Sequence, residues 1–251
     1  YYDLESFLKG RNTIPEYVIN EVGDLTAKKL LHLQCHFGQD TLSLARMGAS
    51  VTGIDFGGNA IERAKQLAGE IGIEARFMQT NVYDLPEILD EQFEVVFTSN
   101  GVLAWLHDLD AWAKIIANAL LPGGIFYISD FHPLMESLQD ERPIERPEDL
   151  FIAYPYFATG TPWATSGENS TDYADRKLCL DLETFEWFHS LQDILSAALD
   201  AGLEIELFRE HQFCVYQARQ GMVKGQGGLW HMPTGISEIP LMFSLRARKP
   251  L

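Results

Sequence analysis

The chain has 251 residues, the size of one domain with insertions. Apolar residues make up 46%, but no apolar run approaches the ~20 residues of a membrane span, so no membrane partner is expected. The formal net charge of −17 repels phosphate backbones, which disfavours nucleic-acid partners and suits a cationic ligand. Cys35, Cys179 and Cys214 are scattered, and no signal peptide is visible; both features predict a cytoplasmic protein with reduced thiols.

The most informative stretch runs from Lys29 to Asp55. The apolar run 30–33 predicts a buried strand, the compact turn 34–38 follows, and a helical pattern then continues to Gly48. A second strand ends on the acid Asp55. In such a unit the backbone N–H groups of the turn and the positive end of the helix face the ligand, and the acid takes ribose hydroxyls. The stretch therefore predicts nucleotide binding.

The turn differs from a dinucleotide-binding fingerprint, which needs glycines where a pyrophosphate approaches the backbone. Gln34 and His36 stand at two of those positions, and only Gly38 is a glycine. The stretch L-H-L-Q-C-H-F-G resembles the first motif of the class I S-adenosylmethionine (SAM)-dependent methyltransferases, hydrophobic-D-h-G-x-G-x-G, in a bacterial variant. His32 stands where the usual acid would be. The resemblance extends from about Leu8 to the end of the chain.

This resemblance implies SAM as the cofactor and S-adenosylhomocysteine (SAH) as the product. The turn would hold the methionyl end, Asp55 the ribose, and Phe56 one face of the adenine. Asn81 replaces the family's usual Asp, and its amide oxygen can still accept from the adenine amino group. The cofactor-binding residues predicted in this way are Gln34, His36, Gly38, Asp55, Phe56, Asn81, Val82, Ser99 and Asn100.

Helices and strands continue to alternate after Asp55. Helical patterns cover 60–70, 109–121 and 190–201, and strand patterns cover 75–80, 93–99, 125–130, 203–210 and 241–247. Alternation through five strands predicts a parallel sheet, and two final strands with no helix between them predict an antiparallel pair. We therefore predict an α/β fold: a doubly wound, Rossmann-like, seven-stranded, mostly parallel sheet with an antiparallel C-terminal edge strand, helices on both faces and an inserted cap region.

One methyltransferase domain is predicted over residues 1–251. Its expected parts are an N-terminal lid segment (1–24), a SAM-binding core (25–131), a cap and acceptor insertion (132–189), and the last helix with the terminal strand pair (190–251). Pro15 near a helix start indicates a helix in the lid, to about Glu21. Tyr1, Tyr2 and Phe7 are the candidate lid residues, with simple packing as the alternative.

Histidines and tryptophans are the candidates for the acceptor side. His132 follows the fifth strand and His189 precedes a helix, at the rim where α/β proteins bind ligands, so either could take a proton or simply cap or pack. Asp130 and Glu186 are further carboxylates at this rim. Tryptophans could line an acceptor pocket or fill the core; the candidates are Trp105, Trp163, Trp187 and Trp230.

The sequence favours a SAM-dependent methyltransferase (EC 2.1.1.-) acting on an unidentified small-molecule acceptor. No metal site is predicted, because His32 and Cys35 would point to opposite faces of a strand and no fourth ligand is in sight. A nicotinamide oxidoreductase is one alternative, disfavoured by the missing glycines and the terminal strand pair. A non-catalytic SAM-binding module is the other, suggested by the residues at Gln34 and His36. No oligomeric state is predicted.

Overall fold

A computed structural model describes residues 3–165 and 183–251. Its strands are β1 (Lys29–His32), β2 (Ser50–Asp55), β3 (Arg76–Gln79), β4 (Phe93–Ser99), β5 (Leu120–Phe131), β6 (Trp163–Thr165), β7 (Thr184–Glu186), β8 (Glu204–His211), β9 (Val223–Lys224), β10 (Trp230–His231) and β11 (Met242–Arg248). Its helices are α1 (Leu4–Leu8), α2 (Glu16–Val22), α3 (Gln39–Arg46), α4 (Gly58–Ile71), α5 (Leu85–Ile88), α6 (Leu109–Ala119), α7 (Pro133–Glu136) and α8 (Leu191–Asp200).

Seven of the strands form one sheet in the order β3-β2-β1-β4-β5-β11-β8. The first five are parallel, and β11 is antiparallel to both β5 and β8. The terminal pair β8 and β11 thus completes one side of the sheet without a crossover helix. The predicted doubly wound α/β fold is confirmed, and the carboxyl ends of the parallel strands meet at one rim.

Apolar side chains pack against both faces of this sheet. Neighbouring residues of β1 alternate between faces, as a strand requires: Leu31 joins the layer under α6 and α8, whereas Leu30 joins the layer under α2. Both leucines are fully buried, and such burial stabilises by roughly 1.5–3 kcal/mol per side chain. A third layer joins α3, α4 and Phe77 of β3. These three apolar layers hold the parallel strands in place, and with them the rim at which their carboxyl ends meet.

The N-terminal segment differs in part from the expectation. The helix predicted after Pro15 is present as α2, but Phe7 is fully buried, with the Arg46 guanidinium 4.3 Å from its ring centroid. Phe7 is therefore a core residue here and not a lid residue. Tyr1, Tyr2 and Cys179 lie outside the described residues. Across 3–165 and 183–251, no helix combines the length and apolar composition that crossing a membrane would need.

Candidate functional site

The turn between β1 and α3, residues 34–38, and the end of β2 form the candidate cofactor cradle. Asp55 closes it, because its carboxylate accepts from the His36 N–H at 2.9 Å and from the Gly57 N–H at 2.8 Å. One oxygen serves each donor, so the acid is held in a fixed orientation at the carboxyl end of the sheet. This is the position in which the resemblance places a ribose.

Gln34 and His36 keep the backbone shape that glycines would give this turn. Their φ angles are 54° and 50°, and that of Gly38 is 80°. A side chain in this left-handed region costs roughly 1–2 kcal/mol, and such strain concentrates where structure serves a ligand. Two non-glycine residues therefore adopt the left-handed conformation in which glycine is usual.

Gly38 is required by packing as well as by backbone angle. A Cβ there would lie 2.8 Å from Phe77 Cζ and 2.9 Å from Ala64 Cβ, closer than real Cβ atoms come. Gly38 is also the residue from which α3 begins. A side chain at this position would therefore push α3 away from β3 and α4.

Two side-chain amide groups beside the turn have buried atoms without partners, and these atoms indicate which ligand the cradle can bind. Gln34 Nε2 donates to the Val102 carbonyl at 3.2 Å, which ties the turn to the loop after β4, while its Oε1 is buried without a hydrogen-bond partner in the described residues. Gln39 Nε2 is likewise buried and unpartnered there. One spare acceptor and one spare donor fit the ammonium and carboxylate of a methionyl group, so the residues present fit SAM.

The first turn of α3 connects the cradle to the N-terminal segment. Asp40 accepts from the Thr13 hydroxyl at 2.6 Å and from the Ser99 hydroxyl at 3.4 Å. Burial raises the pKa of Asp40 above its usual range. Residues from the N-terminal segment, α3 and the end of β4 thus meet beside the cradle.

The residues predicted to contact the adenine lie on the loops after β2 and β3. Phe56 is 73% exposed although it is a large apolar residue, which suits a ring that stacks on a ligand. Asn81 Oδ1 accepts from the Tyr83 N–H at 3.0 Å and keeps a second lone pair. Val82 is buried in the core beneath them.

Asp130, at the end of β5, holds the loop after β4. One carboxylate oxygen accepts from the Gly101 and Phe131 N–H groups, and the other from the N–H groups of Val102 at 3.0 Å and Leu103 at 3.1 Å. Burial raises the pKa of Asp130, although the four N–H donors stabilise its charged form. This loop contacts the cradle through Val102, so Asp130 positions both sides of the site.

A small cavity of about 40 Å³ lies beyond that loop. It is lined by Leu103, Ala104, Phe131, Pro133, Glu136, Pro155, Tyr156, Glu186, Trp187, Phe188, His189 and Ile194. The Trp187 N–H donates to the Ala104 carbonyl at 2.8 Å, which fixes the cap to the loop. A second cavity, at the opposite end of the strands, contains Arg246 and Arg248, both paired with Glu206. The first cavity adjoins the cradle and is the candidate acceptor pocket.

The two predicted proton acceptors have different environments. His132 Nδ1 accepts from the Leu134 N–H at 3.0 Å, so Nε2 carries the proton and donates to Glu210 at 2.9 Å. Both nitrogens are engaged in capping α7 and pairing, which argues against a base role. His189 lines the acceptor pocket and donates from Nε2 to the Leu106 carbonyl at 2.7 Å. Burial lowers its pKa.

The structure separates the four predicted pocket tryptophans. Trp187 lines the cavity, and Trp163 packs behind it with its ring 6.2 Å from that of Phe188. Trp230 lies elsewhere, beside Lys224, in a cluster with Met135. Trp105 is 46% exposed and does not line the cavity. Glu136, which also lines the cavity, was not predicted from the sequence.

His32 replaces an acid without introducing a charge. Its Nδ1 lies 2.8 Å from the Thr41 hydroxyl, and its ring meets Phe97 edge-on. Burial lowers its pKa to about 3, so the folded protein holds it neutral where an unfolded chain would protonate it.

We expect His32→Asn to reduce the loss of stability in acid. Because the folded pKa is depressed, the unfolded state binds more protons below pH 6.5, and stability falls by about 1.4 kcal/mol per pH unit from there toward pH 3. Between pH 7 and 5 the variant should therefore gain about 2 kcal/mol on the parent in urea unfolding. Thr41→Val, which removes the hydrogen bond but keeps the histidine, should retain the parental pH dependence. If the free energy of unfolding fell with pH equally in His32→Asn and the parent, His32 would not be the group that the fold holds neutral.

Residues 31–128 match a family described as a methyltransferase domain. The ubiquinone biosynthesis O-methyltransferase of Salmonella enteritidis is 33% identical over 133 residues, which are 51% of this chain and 54% of that protein. A Mesorhizobium loti SAM-dependent methyltransferase has a TM-score of 0.65 at 19% identity, over 96% of this chain and 99% of that one. A Clostridium acetobutylicum SAM-dependent methyltransferase has a TM-score of 0.63 at 12% identity, over 100% and 93%.

These similarities agree with the fold and with the cradle. The matched segment runs from β1 to β5 and contains the turn, Asp55 and the loop after β4. Residues 31–128 are thus similar to a methyltransferase domain, and the chain shares its fold with the two solved SAM-dependent methyltransferases. It spans about half the length of the curated relatives it matches.

Proposed function

We propose that the chain is an enzyme that transfers the sulfonium methyl group of SAM to a small-molecule acceptor and releases SAH. The observation that carries this proposal is the cradle: a left-handed turn at Gln34 and His36, closed by Asp55 and adjoining a narrow pocket. Bound SAM would supply an electrophilic methyl group on a positively charged sulfur. The protein's own contribution is to position the acceptor and exclude water.

Each part of the cradle has a proposed partner in SAM. Asp55 would bind the ribose hydroxyls, Phe56 would cover one face of the adenine, and Asn81 would accept from the adenine amino group. The spare polar atoms of Gln34 and Gln39 would serve the methionyl end, with Ser99 and Asn100 on the facing loop. His36 and Val82 would contact the cofactor from the turn and from beneath the adenine.

The acceptor is proposed to be a small molecule because the pocket is narrow and lies between the loop after β4, α7 and the described residues of the cap. The Salmonella relative is named as an O-methyltransferase, which supports oxygen as one candidate acceptor atom. Because the chain spans only half of that relative, the cavity's own chemistry is the better guide to the acceptor. A cytoplasmic location remains a prediction.

Calorimetric titration with SAH and with NADH tests the cofactor, and we expect binding of SAH alone. At a hundredfold excess over Kd, SAH should stabilise the fold by about 2.7 kcal/mol, visible as a rise in Tm. Binding of NADH without SAH would replace this proposal with the oxidoreductase. Transfer of label from methyl-labelled SAM to an acceptor separates an enzyme from a binding module.

A further inference from the structure

The acceptor pocket is lined by a carboxylate, that of Glu136, for which the fold itself has no structural use. Glu136 ends the short helix α7 and lines the cavity between α7, the loop after β4 and the cap. Its carboxylate has no hydrogen-bond or ion-pair partner within 3–165 and 183–251. Burial raises the pKa of Glu136 to about 7. An unpaired carboxylate costs stability in such a place unless a ligand uses it.

The cation whose charge lowers the pKa of Glu136 is Arg219, and its Nη2 already donates to backbone carbonyls. Arg219 is buried, and its Nη2 donates to the backbone carbonyls of Met135 at 2.8 Å and Leu138 at 3.2 Å. The guanidinium therefore holds the backbone around α7 and leaves the Glu136 carboxylate to face the cavity. Arg219 fixes the place of Glu136 without neutralising it by contact.

A second carboxylate and several rings complete the pocket. Glu186 lines the same cavity, also carries a raised pKa through burial, and its charge raises the pKa of Glu136. Neither Lys nor Arg is among the described residues that line it. Two carboxylates repel an anionic acceptor, whereas carboxylates beside aromatic faces attract an ammonium ion. The rings available are Phe131, Tyr156, Trp187 and Phe188.

We propose that this pocket binds the acceptor as an organic ammonium ion with an apolar body, held by Glu136 and Glu186, and that Glu136 removes the proton that blocks methyl transfer. This inference rests on the proposed methyltransferase function and names its substrate class. Glu136 takes one proton from R–NH₃⁺ and becomes a carboxylic acid. The freed nitrogen lone pair forms the N–CH₃ bond, the C–S electron pair passes to sulfur as SAH, and the product is R–NH₂⁺–CH₃.

Several charged groups face Glu136 and set its pH dependence. Asp130 approaches from β5, Glu186 from β7 and Asp140 from beyond α7, and all three raise its pKa, while Arg219 lowers it. His189 lies in the same pocket, and burial lowers its pKa. The carboxyl is therefore a stronger base than an ordinary glutamate, and it is deprotonated above about pH 7.

Binding of three small molecules to the SAH-loaded protein tests the inference. Phenethylamine, 2-phenylethanol and 3-phenylpropionate each carry a phenyl ring on a two-carbon chain and differ in the end group, which is an amine, an alcohol or a carboxylate. We expect phenethylamine to bind at least tenfold more tightly than the alcohol, and the carboxylate not to bind. Glu136→Gln and Glu186→Gln should each weaken amine binding about tenfold and leave the alcohol unchanged. Phenethylamine binding should also strengthen as the pH rises through about 7, and this dependence should disappear in Glu136→Gln.

The controls separate this inference from the proposed function. Glu148→Gln changes an exposed acid of the cap region and should bind phenethylamine as the parent does. Glu136→Asp should restore part of the amine binding, and SAH binding by each variant shows that it is folded. If SAH binds but the amine is not preferred, or no probe binds at 10 mM, the ammonium assignment is overturned and the methyltransferase proposal stands. If SAH itself fails to bind the parent, the proposed function fails.

Discussion

Replacing Asp130 with asparagine is expected to lower the free energy of unfolding by about 2–5 kcal/mol. The carboxylate accepts four backbone N–H groups, two on each oxygen, from three residues of the loop after β4 and from Phe131. An amide nitrogen at one of these positions would face two donors, and each buried donor left unsatisfied costs roughly 1–3 kcal/mol. Urea unfolding measures the change.

The same replacement should reduce methyl transfer more than stability alone explains. The loop that Asp130 holds carries Val102, which bonds to Gln34, and Ala104, which bonds to Trp187. A shift of about 1 Å in such a loop can lower turnover ~100-fold, because both the cofactor and the acceptor would lose alignment. Asp84→Asn makes the same change of charge on an exposed residue and should leave stability and turnover close to the parent. An Asp130→Asn variant with parental turnover would show that the loop does not position the reactants.

Local patterns predicted the sheet because each element carries its own signal. The alternation of Leu30 and Leu31 between faces follows from the two-residue period of a strand. The start of α8 follows from Ser190 and Asp193, whose side chains and N–H groups form the reciprocal capping box. Asp55 was predictable because the carboxyl end of β2 must lie at the binding rim.

The remaining parts of the site depend on distant contacts that no local pattern reports. The left-handed conformation of Gln34 and His36 has no sequence signal, since glycine is its usual marker and neither residue is glycine. The sequence left His132 as either a base or a capping residue, and its partner Glu210, which comes from β8, is visible only in the fold. Glu136 lies in a stretch without helical or strand periodicity, and only the packing of α7 against Arg219 and the cap makes it part of a pocket.

Replacing Asp55 with asparagine is expected to lower the affinity for SAH at least ~100-fold. Two charge-assisted hydrogen bonds to the proposed ribose would be weakened, each worth roughly 1.5–3 kcal/mol. The amide nitrogen would also face either the His36 or the Gly57 N–H, so the turn itself would loosen. Calorimetric titration with SAH measures the loss, and a melting curve without ligand shows how much of the fold is retained.

Asp24→Asn provides the matched control for Asp55→Asn. Asp24 Oδ1 accepts from the N–H two residues along the chain, that of Thr26 at 2.9 Å, just as Asp55 Oδ1 accepts from Gly57. Asp24 lies before β1, at the end of the sheet opposite the cradle, so its change should leave SAH affinity unaltered. If Asp55→Asn kept its fold and bound SAH within threefold of the parent, Asp55 would not be the ribose ligand. The cradle would then have to bind its cofactor through the turn alone. The left-handed backbone conformation of Gln34 and His36 would not be explained by a ribose held at Asp55.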